Sequence, residues 1–357
     1  MNLLTVGIVG CGRICNGAHV PALKNIDGIK VKYACDLIAE KAETVKEKLG
    51  AEIACTDYRT VLADKQVDCV FVLTPNYAHY EVTMAALKAG KHVFCEKPIT
   101  VNYALSQEMY REAEKQGKIL NIGVCNRYHK SVELLEKLNR ECVFGNIYHV
   151  YCLFRKYRCI PGLGGDFTTK SQSGGGVLID WGVHFFDLIF YILGGAKTIT
   201  ATADAYSEMA KDMKAYKCND MWAQDTANIE NGTNDVEDFI TGYIRTDKAS
   251  ISFNGAWAQN IEHDEMFIDF LGDKGGARLD YCGHFTLWTQ DATGELSKTT
   301  YNYVIPDMYT CEDKAFFESV RTGEKCRSNI ENILPSAELL EQLYRSASVR
   351  KEIKAEE

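Results

Sequence analysis

The stretch Leu4-Thr5-Val6-Gly7-Ile8-Val9-Gly10-Cys11-Gly12-Arg13-Ile14-Cys15 decides the fold. An apolar run ends in two glycines set two apart, and a segment able to form a helix, Ile14 to Ile26, follows at once. The first glycine permits the tight strand-to-helix turn. The second lets a pyrophosphate approach the main chain at the helix N-terminus. The third fingerprint position is Cys15 rather than Gly or Ala, still small enough for fairly close helix–sheet packing. Alone, such a loop is weak evidence, and its context strengthens it. A second apolar run, Ile29 to Cys35, ends at Asp36, where a carboxylate can accept both ribose hydroxyls of an adenosine and repel a 2′-phosphate. The spacing therefore predicts a dinucleotide site of Gly10, Gly12, Arg13, Ile14 and Asp36, with NAD preferred over NADP. The other reading of Asp36 is a helix N-cap, since a charged helix starts just beyond it.

Outward from this loop the alternation continues. Val67 to Leu73 is a near-continuous apolar strand, Ala78 to Ala89 a helix closed by Gly90, and Lys91 to Cys95 another strand. Val101 to Gln116 reads as a helix closed by Gly117, and Lys118 to Val124 as a last strand. Strands without clean alternation, separated by helices, predict a parallel sheet covered on both faces. Residues 1–125 are thus expected to form an α/β, doubly wound (Rossmann) domain. Residues 126–357 change character. A helix, Lys130 to Asn139, leads to the alternating strand Ile147 to Arg155, a loop from Ile160 to Gly176, and an apolar helix, Val183 to Leu193. Strands then dominate: Thr198 to Ala205, Asp238 to Arg245, Ala249 to Trp257, Glu265 to Leu271, Gly276 to Asp280 and Phe285 to Thr289. Thr246-Asp247-Lys248 is a hairpin turn signal, Asp204 to Asn234 a polar excursion, and helices return at Asp313 to Arg321 and Pro335 to Ser348. The second domain is expected to be α+β, with a large, mainly antiparallel open sheet and C-terminal helices packing back near the first domain.

Composition agrees with two well-packed domains. The chain has 357 residues, 46% of them hydrophobic, with 4 Trp, 19 Tyr and 15 Phe, which excludes a disordered chain or a disulfide-stapled miniprotein. Forty basic against 49 acidic residues leave a net charge of -9, which argues against a nucleic-acid partner. The 14 cysteines include no C-x-x-C pair, and Cys35, Cys69, Cys95 and Cys152 fall in apolar runs, as buried reduced thiols would. The N-terminus lacks the basic segment of a signal peptide and no run approaches 18 apolar residues, so a cytoplasmic protein that spans no membrane is expected.

Three further motifs carry chemistry. Thr74-Pro75-Asn76 and Glu96-Lys97-Pro98 each follow a parallel strand, where doubly wound sheets bind ligands. A lysine there can donate to a substrate hydroxyl and stabilise an oxyanion. An ordinary exposed lysine is the plain alternative. The third motif is Gly174-Gly175-Gly176-Val177-Leu178-Ile179-Asp180-Trp181-Gly182-Val183-His184. Asp180 and His184 are four apart and share a helix face, so the imidazole can take a proton while the carboxylate orients it. A structural histidine among Phe185, Phe186 and Phe190 is an equal reading. No metal is expected, because the histidines show no ligand spacing.

Together the Gly10/Gly12 loop, Thr74-Pro75-Asn76 with His79, Glu96-Lys97-Pro98 and the Gly-Gly-Gly…Asp180…His184 run resemble the glucose-fructose oxidoreductase, inositol dehydrogenase and rhizopine-catabolism (Gfo/Idh/MocA) family. The resemblance extends to Gly272-Asp273-Lys274-Gly275 and Arg321-Thr322-Gly323, nearly the whole chain. It implies oxidation or reduction of a sugar, glycoside or inositol-type hydroxyl with NAD(P), and assembly through the second domain's open sheet. By motif, Lys97 matches the family's catalytic lysine, His184 its acid/base and Asp180 the supporting carboxylate. Thr74, Pro75, Asn76, His79 and Glu96 match cofactor-side positions, and Lys97 and Asn126, the latter in the segment joining the domains, are expected to touch the cofactor too. Cys15 and Trp181 depart from the pattern.

The substrate is less legible. Tyr128 and Trp181 suit a sugar face, Arg155 and Lys170 a carboxylate or phosphate, and some relatives oxidise the 3-position of glucosides. Two rivals differ in class: an NAD-dependent glycosidase working through transient oxidation, whose histidine usually sits in a Tyr-Pro-Thr-His context absent here, and a non-enzymatic NAD sensor, against which Lys97, Asp180 and His184 together argue. A homodimer or homotetramer is expected, because alternation of Phe239, Thr241 and Tyr243, or of Ile251, Phe253 and Gly255, points to an apolar outer sheet face.

Overall fold

Strands apolar on both faces need helices on both sides, and the first part of the chain supplies them. The computed structural model describes residues 3–355 apart from 101, 220, 222, 282, 292, 304 and 305. Val101, the expected first residue of a helix, lies outside the described residues. Six strands, β1 (Leu4–Val9), β2 (Ile29–Cys35), β3 (Ile53–Cys55), β4 (Cys69–Val72), β5 (His92–Glu96) and β6 (Leu120–Gly123), form one sheet in the order β3-β2-β1-β4-β5-β6. All of its pairs are parallel. The intervening helices are α1 (Val20–Leu23), α2 (Ala39–Leu49), α3 (Tyr58–Ala63), α4 (His79–Lys88) and α5 (Tyr103–Gln116). The order reverses between β1 and β4, which places a ligand crevice beyond their carboxyl ends. Short β3 and α3 carry no periodicity long enough to read from sequence.

Contacts divide the chain into Met1–Tyr128 with Pro306–Leu334, and His129–Ile305 with Pro335–Glu357. The second segment of the first unit holds α9 (Met308–Thr322), whose buried Phe316 and Phe317 pack on the stacked rings of Phe71 and Phe94. Residues 126–128 and 306–334 therefore fold with the first unit rather than with the second domain expected from 126 onward. His19 lies in this core, fully buried. Its Nδ1 lies 3.1 Å from both carboxylate oxygens of Asp313 and its Nε2 3.1 Å from Glu96 Oε1. Burial disfavours the charged ring, but Asp313 and then Glu96 outweigh it and hold the imidazolium up to about 10.

The second unit is built on β7 (Ile147–Arg155), β8 (Thr198–Tyr206), β9 (Phe239–Thr246), β10 (Ser250–Ala256), β11 (Glu265–Gly272), β12 (Gly275–Asp280), β13 (Phe285–Gln290), β14 (Leu296–Tyr301) and β15 (Ile353–Lys354), with helices α6 (Lys130–Arg140), α7 (Lys170–Ser173), α8 (Val183–Ile192) and α10 (Leu334–Val349). Its sheet order is β14-β13-β12-β11-β7-β10-β9-β8-β15, antiparallel except for β7 with β10. The expected Thr246 turn joins β9 to β10, with Thr246 N donating to Ala249 O at 3.1 Å. Strand β14, Leu-Ser-Lys-Thr-Thr-Tyr, was not legible because its polar residues show no apolar alternation.

Register corrects one expectation. Tyr243 pairs with Ser252, whereas Ile251 pairs with Ile244 and Phe253 with Gly242. Ile251 and Phe253 therefore point into the core, and both are buried. Phe239, Thr241 and Tyr243 occupy the other face. The apolar helix α8 ends a longer helical stretch. The stretch Lys170–Ile192 is long and apolar enough to cross a bilayer by composition, yet 83% of its apolar window is buried within the protein, as in a core helix. The described cysteines are all free, and Cys35, Cys69, Cys95 and Cys152 are buried.

The His19 cluster sets a pH dependence. A histidine raised from 6.5 to about 10 stabilises the fold fully below pH 6.5, and this is lost as pH rises through about 10. Burial also raises Asp313 and Glu312, so their contribution falls with rising pH in the same sense. Thermal midpoints are expected to fall between pH 7 and 10, with a shallower slope in His19→Gln or Asp313→Asn. Parallel slopes in wild type and both variants would refute the assignment.

Candidate active site

At the first strand end, Gly10 adopts φ +98°, and a Cβ there would lie 2.5 Å from the Leu73 carbonyl. No side chain but hydrogen is accommodated, and the close approach ties the loop to β4. Gly12 differs: nothing lies within 4 Å of its Cβ position. Open space above this main chain, at the start of a helical turn over Cys15–His19, is what a pyrophosphate needs. Arg13 is exposed, Ile14 half-buried, and Cys15 buried beside Cys11. Asn16 Nδ2 donates to Cys11 O and Gly12 O, both at 2.9 Å, and fixes the loop.

Asp36 performs two local tasks. Its Oδ2 accepts from Cys11 N at 2.8 Å and its Oδ1 from Ile38 N at 2.9 Å. The N-cap of α2 is Ile38, so Asp36 is not the cap itself. Each carboxylate oxygen keeps a second lone pair that can accept a ribose hydroxyl. These residues fit an NAD molecule. When bound, that cofactor supplies a hydride acceptor.

The next two strand ends are fastened together by His79. Its buried ring places Nδ1 2.7 Å from Pro98 O and Nε2 2.9 Å from Thr74 O. Burial opposes the charge, but neighbouring Cys95 and the two carbonyls hold the ring up to about 9. His79 is thus spent inside the scaffold. So is Glu96, buried between His19 and Lys97 N, which donates to its Oε2 at 3.0 Å. Thr74, Asn76, Lys97 and Asn126 remain partly exposed at this edge, and Pro75 is exposed. Tyr128 is buried, its hydroxyl 2.9 Å from Ser328 Oγ, and Arg127 donates to Arg327 O at 2.6 Å and Asn332 O at 3.0 Å. Both are committed to the 326–332 segment.

In the second unit the glycine run leads into a π turn, Leu178–Gly182, and then α8. A π turn closes residue i on i+5, so positions four apart stay on one face. Asp180 and His184 are both partly exposed there, among buried Val177, Leu178, Ile179 and Val183. Asp180 Oδ2 accepts from Trp257 Nε1 at 3.2 Å, and the His184 ring lies 6.5 Å from that of Tyr281. Neither Trp257 nor Tyr281 was legible as a site neighbour, because nothing in a strand end announces a partner 77 residues away. Trp181 packs half-buried against the core. Lys170 is exposed at the start of α7. Arg155 pairs with Glu265 and lines a cavity of about 470 Å³ with Tyr206 and Thr241. Among the described residues no group of three His, Cys, Asp or Glu side chains is placed to hold a metal.

Comparison with known proteins gives matches in both units. Residues 4–124 match the family described as "Oxidoreductase family, NAD-binding Rossmann fold", and residues 132–278 match the "GFO/IDH/MocA C-terminal domain". The chain is 29% identical to the D-glucoside 3-dehydrogenase of Escherichia coli over 347 residues, 96% of this chain and 95% of that protein. It is also 29% identical to the myo-inositol 2-dehydrogenase of Thermotoga maritima, over 90% of this chain and 89% of the other. In fold it resembles a levoglucosan dehydrogenase solved with NADH and levoglucosan, with a TM-score of 0.86 at 19% identity over 100% of both chains.

The two loop glycines separate stability from binding. Gly10→Ala is expected to lower the melting temperature, because the methyl meets backbone and φ is unfavourable. Gly12→Ala is expected to leave it nearly unchanged and to weaken NAD binding by about tenfold or more, since the methyl fills the space a phosphate would take. Calorimetry and fluorescence titration check both. Equal NAD affinity in Gly12→Ala and wild type would refute the loop's assignment.

Proposed function

The chain belongs to the GFO/IDH/MocA oxidoreductase family, and we propose that it is an NAD-dependent dehydrogenase of sugar-type secondary hydroxyls, acting on the 3-position of a glucoside. The observation that carries the dehydrogenase reading is the partly exposed Lys97, fastened through Glu96 beside a glycine loop that leaves room for a pyrophosphate. The choice of a glucoside rests on similarity to the Escherichia coli enzyme over nearly the full length of both chains.

In this reading a substrate hydroxyl loses its proton to neutral His184 while its carbon gives up a hydride, leaving a ketone. Asp180, held by the Trp257 indole, orients the imidazole and favours its protonated form. The Lys97 ammonium donates to the substrate oxygen as negative charge builds on it. Asp36 accepts the adenosine ribose hydroxyls and disfavours a 2′-phosphate, which makes NAD the preferred cofactor. The outer sheet face, with Tyr151, Tyr243 and Trp288 exposed, is the surface through which a homodimer or homotetramer would assemble.

Both roles are testable on polyols, free sugars and glycosides with NAD, reading NADH absorbance and locating the new ketone by NMR. His184→Ala is expected to lower kcat by about 10²- to 10⁴-fold, and Lys97→Ala by at least about 10²-fold, with NAD affinity retained. Near-wild-type turnover in both variants across pH would refute the mechanism, and a ketone elsewhere than C3 would refute the substrate position. For the cofactor, Asp36→Ala should narrow the preference for NAD over NADP, removing a charge contact worth roughly 1 to 3 kcal/mol. Wild-type protein binding both cofactors equally would contradict this.

A further inference from the structure

In the glycine run before Asp180, Gly174 closes α7 in the left-handed conformation at φ +87°, and Gly175 and Gly176 answer to close packing. Three successive amides at the start of this helical stretch end on one residue. Gly176 N donates to Glu237 Oε2 at 2.9 Å, Val177 N to Glu237 O at 3.2 Å, and Leu178 N to Glu237 Oε1 at 3.1 Å. These are the orphan donors of a helix start, usually answered by a side chain nearby in sequence. Here the cap comes from 59 to 61 residues downstream. A fourth donor completes it: Tyr344 on α10 gives its hydroxyl to Glu237 Oε1 at 2.8 Å. A Cβ at Gly176 would strike the Glu237 carbonyl, and one at Gly175 the Tyr344 hydroxyl. Gly175 and Gly176 are there because Tyr344 and Glu237 come so close.

The same corner also holds Asp180 from the other side. Trp257 N donates to Asp238 O at 2.9 Å, and the Trp257 indole reaches Asp180. The chain neighbour of Glu237 thus anchors the residue that holds the carboxylate, while Glu237 anchors the backbone two residues before it.

We propose that Glu237 and Tyr344 are positioning residues that clamp residues 176–178 and thereby set the place of Asp180 and His184. The clamp's catalytic consequence rests on the dehydrogenase reading, whereas its existence does not. An anion facing the amides of a helix start also complements the local dipole. Glutamine in its place would turn an amide N–H₂ toward one of these donors, so at least one amide would lose its acceptor.

The test compares Glu237→Gln and Tyr344→Phe with wild type by hydrogen-exchange mass spectrometry, NAD titration and steady-state kinetics. Glu237→Gln is expected to speed exchange by about tenfold or more in peptides spanning 176–184 and to leave the first unit's peptides unchanged. NAD affinity should stay within about twofold, while kcat falls by about tenfold or more, since small misplacements of reacting groups are costly. Tyr344→Phe, which keeps all three amide contacts, is expected to fall between, and it carries the test if Glu237→Gln does not fold. Unchanged exchange at 176–184 in these variants overturns the clamp. Faster exchange spread evenly over the second unit, with kcat per folded molecule unchanged, overturns the positioning role. A wild type that turns over no sugar, polyol or glycoside refutes the dehydrogenase reading, and the exchange data still decide the clamp.

Discussion

A charge taken out of water must be answered, and in the first unit His19 is answered on both sides. Glu96 at the end of β5 and Asp313 on α9 hold its two ring nitrogens, inside a cage of Phe71, Phe94 and Tyr309. The cage excludes water, which strengthens the electrostatics and makes loss of any one partner expensive. Three chain segments far apart in sequence are fixed relative to one another: the helical turn after the glycine loop, the strand end carrying Lys97, and the returning helix α9. That helix belongs to this unit for the same reason. Without Asp313 the imidazolium would have one carboxylate instead of two.

The molecule repeats this device with other chemistry. His79 uses both ring nitrogens on main-chain carbonyls and joins the turn after β4 to the turn after β5. In the second unit, Glu237 reverses the sign, a buried carboxylate accepting from main-chain amides. In each case an internal charged group fixes backbone, and the groups with chemical reach stand one or a few residues away: Lys97 next to Glu96, Thr74 five before His79, Asp180 two after Leu178. Buried ionic groups of this kind contribute geometry more than net stability, because desolvation offsets much of their Coulombic gain.

That arrangement explains what was legible in the sequence. The parallel sheet could be read because its strands are near-continuous apolar runs set between helices that glycines close, and each signal is local. The Gly10 turn, Asp36, Lys97 and the Asp180/His184 pair could be singled out because residue type and position relative to a strand or helix end carry the meaning. His79 and Glu96 were legible as motif members but not as scaffold, since a sequence motif does not tell a side chain facing inward from one facing out. His19, Trp257, Glu237 and Tyr344 gave no local signal at all. Their partners lie 59 to 294 residues away, and only the fold brings them together.

The β9–β10 pair shows the same limit within regular structure. Both strands alternate cleanly, yet alternation alone does not say which parity faces the core, and a slip by one residue exchanges the faces. Phe239, Thr241 and Tyr243 pair across with Ala256, Asn254 and Ser252, a small and polar set. Ile251 and Phe253 pair with Ile244 and Gly242, and the absent side chain at Gly242 leaves room for the Phe253 ring. Size complementarity across the ladder therefore sets the parity. A large residue opposite a glycine on one face leaves that face dense, and small polar residues opposite aromatics leave the other face flat and partly apolar. A flat face of this kind is the one available to another surface, so the register that builds the core also determines which residues are offered outward.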